Sequence, residues 1–193
     1  MKLKKAFSTV LVTGALLAAG SASAQAFPDF TVDPDLLPGT PNSFTADKIT
    51  GNYTESITLN AGNTFSFSLH WDAGQFVAND GATPVFGTGL TNTYLLYANY
   101  SGTGTYTTPS AGVATFTADP GGLLSVFRSP DLIIGGDTLI ATGVGTNGGG
   151  TLDTTLSTCT AGGGVGFNCR TVAQITTFAL TVVGPTFFHI PFP

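Results

Sequence analysis

From Gln25 to Pro193 the chain holds one Glu, one Lys, two Arg, three Gln and no Met, so the residues that normally coat a helix surface are nearly missing. Thr, Val, Phe, Tyr and Gly dominate instead. Branched and aromatic side chains fit a pleated, half-buried surface, and Gly, Asn, Asp and Pro fit turns, so the composition points to an all-β fold. With 42% apolar and 11% aromatic residues and little charge, the chain has the material for a packed core that disordered segments lack.

The segment from Gln25 to about Pro41 holds Pro28, Pro34, Pro38 and Pro41 and reads as an extended arm or edge. Beyond it, alternation is clear. Ile57 and Leu59 share one face, and Phe65, Phe67, Leu69 and Trp71 share one face of the next run with Ser66, Ser68 and His70 opposite. Asn60-Ala61-Gly62-Asn63 joins the two runs, a hairpin signal. Further strands are expected at Thr93–Tyr100, Val113–Ala118, Leu123–Phe127, Thr138–Thr142 and Thr171–Val183, each bounded by Gly, Pro, Asn or Asp. In the last run Phe178, Leu180 and Val182 alternate with Thr177, Ala179 and Thr181, which suggests one inward face. The Gly-rich stretch Gly143–Gly164 reads as a long surface excursion. These spacings predict one antiparallel β-sandwich, jelly-roll-like, over residues 25–193.

Residues 1–24 have the form of a secretory signal peptide: a basic head of Lys2, Lys4 and Lys5, an apolar run from Phe7 to Gly20, and the small-x-small site Ala22-Ser23-Ala24 before Gln25. Cleavage between Ala24 and Gln25 is expected, so that the mature chain works outside the cytoplasm, with no second segment to hold it in a membrane. Losing the leader leaves Lys48, Arg128 and Arg170 against eleven carboxylates, a net charge of −8. Three scattered cations build no phosphate-binding stripe, which argues against nucleic acid and anionic membrane as partners.

In an exported protein Cys159 and Cys169 are expected to pair in a disulfide, closing a short loop at a gain on the order of 3 kcal/mol. No metal site is expected at them, because the nearest candidate ligands, Asp153 and His189, have no recognised spacing. Gly143-Val144-Gly145-Thr146-Asn147-Gly148 satisfies a dinucleotide-binding pattern, but no amphipathic helix follows it, so no cofactor is expected. His70 and His189 are the only histidines and no nucleophile elbow accompanies them. Alternation makes His70 a surface strand residue beside Trp71. Asp33 and Asp35 flank Pro34, Asp72 and Asp80 bracket one loop, and Asp131 and Asp137 bracket another. None forms a twelve-residue calcium loop, so calcium would require two loops to converge; solvated turn residues are the simpler reading. Glu55 with one of these Asp residues is the pair a glycosidase would need.

Two segments, Phe44-Thr45-Ala46-Asp47-Lys48-Ile49-Thr50-Gly51-Asn52-Tyr53 and Trp71-Asp72-Ala73-Gly74-Gln75-Phe76-Val77-Ala78-Asn79-Asp80-Gly81, resemble the flocculation-associated PEP-CTERM exported proteins of floc-forming bacteria. Tyr94-Leu95-Leu96-Tyr97-Ala98-Asn99-Tyr100 with Ser101-Gly102-Thr103-Gly104-Thr105 is similar to the same family. The resemblance implies an extracellular protein of cell aggregation, acting in a biofilm or floc matrix of exopolysaccharide. The Pro-Glu-Pro motif, apolar helix and basic tail of that family are absent from the ending Phe187-Phe188-His189-Ile190-Pro191-Phe192-Pro193, so C-terminal truncation is expected.

The reading is therefore a secreted, non-enzymatic adhesion protein partnered by exopolysaccharide. Two alternatives stay open. One is a carbohydrate-binding module, with Tyr97 and Tyr100 as the candidate sugar-contacting residues and Trp71 assigned to the core. The other is a secreted glycoside hydrolase, which requires a cleft with two close carboxylates.

Overall fold

Alternating residues on either side of Ala61-Gly62-Asn63 pair as a hairpin, β3 (Lys48–Asn60) against β4 (Thr64–Val77). Gly62 and Asn63 adopt left-handed backbone, φ 75° and 58°, a conformation these two residue types tolerate best. The computed structural model describes residues 29–36, 42–78, 82–153, 172–175 and 178–189. Residues 1–24, the expected cleavage site between Ala24 and Gln25, and Cys159 and Cys169 lie outside the described residues.

The hairpin continues into β5 (Leu95–Ser110), β6 (Val113–Ala118), β7 (Leu123–Ser129), β8 (Thr138–Asp153), β9 (Val172–Ile175) and β10 (Ala179–Leu180), all antiparallel to their neighbours in one eight-stranded sheet. Here β6 and β7 run end to end in one lane between β5 and β8, and β9 and β10 share the lane on the far side of β8. Taken lane by lane, neighbours in space follow the order of the sequence, so the large sheet is a meander rather than the Greek-key crossing of a jelly roll.

A second, three-stranded sheet is built from both terminal regions, in the order β11 (Phe188–His189), β1 (Phe30–Val32), β2 (Phe44–Ala46). The short helix α1 (Gly184–Phe187) leads into it. This layer completes the antiparallel all-β sandwich that composition and alternation predict. Val32, Ala46, Phe187 and Phe188 form one core with Phe76, Leu96, Ala98, Val126 and Ile140 of the large sheet. Each buried Phe there contributes about 1.5–3 kcal/mol of transfer free energy. Arg128 of β7 ties the layers together: its Nη2 donates to the Pro34 carbonyl at 2.6 Å and its guanidinium lies 5.4 Å from the Tyr94 ring centre. Burial lowers its pKa, against the attraction of Tyr94 and Asp35.

At the other end of the same face lies a second cluster, Phe65, Phe67, Tyr100, Phe116 and Ala118, and the three-stranded sheet contributes nothing to it. Its rings lie on glycines. A Cβ on Gly104 would stand 2.5 Å from the Phe65 ring, one on Gly102 2.9 Å from Phe67, and one on Gly145 2.1 Å from the Tyr100 hydroxyl. Gly104 and Gly102 are the direct cross-strand partners of Phe65 and Phe67. Each glycine removes a side chain from the face, and the neighbouring aromatic folds flat into the space.

That arrangement overturns one expectation. The stretch from Gly143 to Asp153 is no surface excursion but the continuation of β8, with Gly143 and Gly145 buried. Gly145 here serves as a bed for the Tyr100 ring and does not break the strand. Likewise the proline-rich arm contains β1, the central strand of the small sheet, because Phe30-Thr31-Val32 carries no proline and Pro34 falls in the turn after it. The last run does not present one continuous inward face. Leu180 packs on the core, while Phe178 and Val182 are exposed and the chain turns at Val183 into α1.

Candidate functional site

Because Ile57 and Leu59 of β3, Phe65, Phe67 and Leu69 of β4 and Ala98 and Tyr100 of β5 point to the packed side, the positions alternating with them share the opposite face. Thr54 pairs with His70 and His70 with Asn99; Ser56 pairs with Ser68 and Ser68 with Ser101; Thr58 pairs with Ser66 and Ser66 with Thr103. Three strands and three rows thus make a grid in which every position carries a small hydrogen-bonding group. Rows repeat about every 6.8 Å along a strand and strands lie about 4.8 Å apart. Ser66 and His70 are half-buried and the other seven positions are exposed. Hydroxyl and amide side chains both donate and accept, and none of the nine carries a formal carboxylate or ammonium charge.

One row further along, the grid meets a polar cluster. His70 Nδ1 lies 2.7 Å from Asn99 Oδ1 and its Nε2 3.1 Å from Asp72 Oδ1, so both ring nitrogens face oxygen acceptors. The imidazole lies 5.4 Å from the Tyr97 ring, which stacks at 5.2 Å on Phe127. Tyr97 donates to Asp137 Oδ2 at 2.7 Å, and the Gly135 amide donates to the same oxygen at 2.8 Å. Burial first, then the hydrogen bond to Asp137 and the charge of that carboxylate, push the Tyr97 phenol up to about 12. The Gly135 amide and the Tyr97 hydroxyl hold Asp137 below the usual carboxylate range, against desolvation.

The two tyrosines expected to stack on sugars are not platforms. Tyr97 is 4% exposed and Tyr100 5% exposed. Three residues apart on β5, they point to opposite faces, Tyr97 under the loop after β7 and Tyr100 against Phe67 at 5.4 Å and over Gly122 and Gly145. Burial raises the Tyr100 pKa. Trp71 is half-buried and packs on the core, with its indole nitrogen 2.8 Å from where a Cβ of Gly51 would be.

The remaining candidates do not converge. Asp131 Oδ1 accepts from Ser129 Oγ at 2.9 Å and from the Ile133 amide at 3.1 Å, so it shapes its own turn, as Asp137 does. Asp72 and Glu55 lie on opposite faces of the sheet, since Asp72 pairs with Asn52 while Glu55 pairs with Leu69. They cannot flank one glycosidic bond. Asp131 and Asp137 are bonded to Ser129 and Tyr97 on the side opposite Glu55 and fail as its partner for the same reason. Asp33 is buried between two groups, Ser43 Oγ donating to Oδ1 and His189 Nε2 standing 2.5 Å from Oδ2. With the carboxylate in the middle, the serine hydroxyl faces no imidazole, which is not the order a nucleophilic triad needs. Asp35 is an exposed turn residue near Arg128, and Asp80 lies outside the described residues. Among the described residues no three His, Cys, Asp or Glu side chains form a metal-binding group. The Gly143–Gly148 motif lies wholly within β8 and opens no helix.

Sequence reading placed Ser66, Ser68 and His70 on one outward face but missed the grid, because strand neighbours are not visible in one strand. No protein-family model, no curated protein and no solved structure matches the chain. Among the described residues no helix is long and apolar enough to cross a membrane.

Proposed function

We propose that the chain is a secreted, non-enzymatic adhesion protein of the extracellular matrix that binds exopolysaccharide through the polar face of β3, β4 and β5. The observation that carries this reading is the grid: nine adjacent hydrogen-bonding positions on one sheet face, seven of them exposed. A polysaccharide is itself a repeating array of hydroxyl donors and acceptors, and such a surface meets it without any one deep pocket. The leader supports export, and the family resemblance supports a matrix role. A net charge of −8 after leader removal favours neutral over acidic polysaccharide. Each contact is weak, and high surface density converts weak contacts into adhesion.

The test is co-sedimentation of the purified chain with neutral bacterial exopolysaccharide, comparing wild type with the combined variant Ser68→Ala, His70→Ala, Asn99→Ala and Ser101→Ala. Losing hydrogen bonds worth about 1 kcal/mol each weakens binding at least about tenfold. Unchanged binding by the variant, or release of reducing sugar by the wild type, contradicts the reading.

A further inference from the structure

We infer that the chain forms a twofold dimer by antiparallel pairing of the free edge of β3 with β3 of a second copy, centred on Ser56. This rests on the edge itself and not on the polysaccharide reading. The large sheet ends at β3, whose only strand partner among the described residues is β4. The main-chain donors and acceptors on its other side form a ready template for another strand.

Natural edges are usually blunted by Lys, Pro, bulges, shortness or an inward-pointing charge, and of these devices the stretch from Asn52 to Asn60 carries only the charge, Glu55, which faces the Leu69 side. It has no Lys, Arg or Pro, and the register irregularity of β3, at Thr50/Gly51, falls before it. Nine residues give an edge about 30 Å long, enough for about eight to ten interchain main-chain bonds. Two large apolar side chains on this strand are exposed, Tyr53 at 48% and Leu59 at 56%. Both point to the apolar face of the sheet, and both lie three residues from Ser56.

A twofold axis at Ser56 therefore sets each Tyr53 opposite Leu59 of the other copy, Asn52 opposite Asn60, Thr54 opposite Thr58, and Glu55 opposite Ile57. Aromatic and aliphatic cross-strand pairs of this kind are favourable, whereas centring on Glu55 would set like charges face to face. Centring on Thr54 would leave Tyr53 opposite Glu55. Only the Ser56 register covers both exposed side chains with each other. The two polar faces then run on as one surface, and the isologous contact closes as a dimer rather than growing into a fibre. The interface is at the small end of specific interfaces, so dissociation is expected at about micromolar concentration or weaker.

The experiment is sedimentation velocity of the purified full chain from about 1 μM to about 1 mM, with Ser56→Lys, Ser56→Cys and Ser68→Cys. Wild type shifts from monomer to dimer with concentration. Ser56→Lys sets two ammonium groups opposite each other on an exposed position and stays monomeric, with its circular dichroism and thermal midpoint preserved. Under air oxidation Ser56→Cys cross-links between chains, since directly opposed residues lie about 4.5–5.5 Å apart at Cα, within disulfide reach. Ser68→Cys, on the next strand inward, does not. A wild type that stays monomeric throughout overturns the proposal. So does a dimer that survives Ser56→Lys, or one in which both cysteine variants cross-link equally.

Discussion

The two ends of the large sheet's apolar face solve the same problem differently. At one end Phe76, Leu96 and Ile140 are covered by a second layer, with Phe187 from α1 and Phe188 from β11 closing over them. At the other end Phe65, Phe67 and Tyr100 are buried to a similar degree beside Gly102, Gly104, Gly122 and Gly145, with no strand of the small sheet over them. One end buries rings by adding a layer and the other by deleting side chains. The difference teaches that a glycine-rich strand can be core rather than loop when its glycines alternate beside aromatics. Among the described residues no layer covers the reverse face of the meander where the polar grid lies, and seven of its nine positions are exposed.

The layered end should be the more sensitive to truncation. Phe187 is fully buried, in edge contact with Phe188 at 4.7 Å and Tyr94 at 5.8 Å, and its carbonyl accepts from the Asp33 amide. Phe187→Ala is expected to cost about 3–5 kcal/mol in chemical denaturation, because the cavity opens between two layers that cannot collapse independently. At the glycine-bedded end the sensitive change is the opposite one, addition. Gly104→Ala sets a Cβ 2.2 Å from the Thr117 carbonyl oxygen and 2.5 Å from the Phe65 ring, and is expected to cost about 1–3 kcal/mol by the same measurement. A neutral Gly104→Ala would break the comparison.

The smallest effect belongs to the polar side. Tyr97→Phe removes one hydrogen bond to Asp137, at about 1 kcal/mol near neutral pH. Its signature is in the pH profile. The Tyr97 pKa is raised in the fold, so the neutral phenol stabilises the folded state fully below pH 10, and that stability is lost as pH rises from 10 toward about 12. Tyr94 and Tyr100, also raised, contribute the same sign of change. Tyr97→Phe should therefore reduce, not abolish, the alkaline loss of thermal stability. Asp137, held low, contributes in the other direction, present above the ordinary carboxylate range and lost as pH falls through its depressed value.

Much of the fold is legible in local pattern. The Phe65, Phe67, Leu69, Trp71 alternation and the turn at Gly62-Asn63 announce the hairpin, and β6 falls on Val113–Ala118 as the spacing indicates. The failures share a cause. Gly102, Gly104, Gly143 and Gly145 were legible as a period-two pattern alternating with Ser, Thr or Val, but the meaning of that pattern depends on Phe65, Phe67 and Tyr100 in other strands. Tyr97 and Tyr100 looked available to ligand because a tyrosine's exposure is decided by what lies across the sheet, here Phe127 and Phe67. The polar grid needed registers among three strands, which alternation within one strand cannot supply.

At the bedded end glycine and ring are one unit, and a double-mutant cycle on Phe67 and Gly102 measures their coupling. A Cβ on Gly102 meets the Phe67 ring first, at 2.9–3.0 Å, and Gly122 next, at 3.5 Å. Gly102→Ala should destabilise the wild type, and should be neutral or stabilising once Phe67→Ala has removed the ring, a coupling of about 1–3 kcal/mol. Equal effects of Gly102→Ala in the two backgrounds would show that ring and glycine are independent.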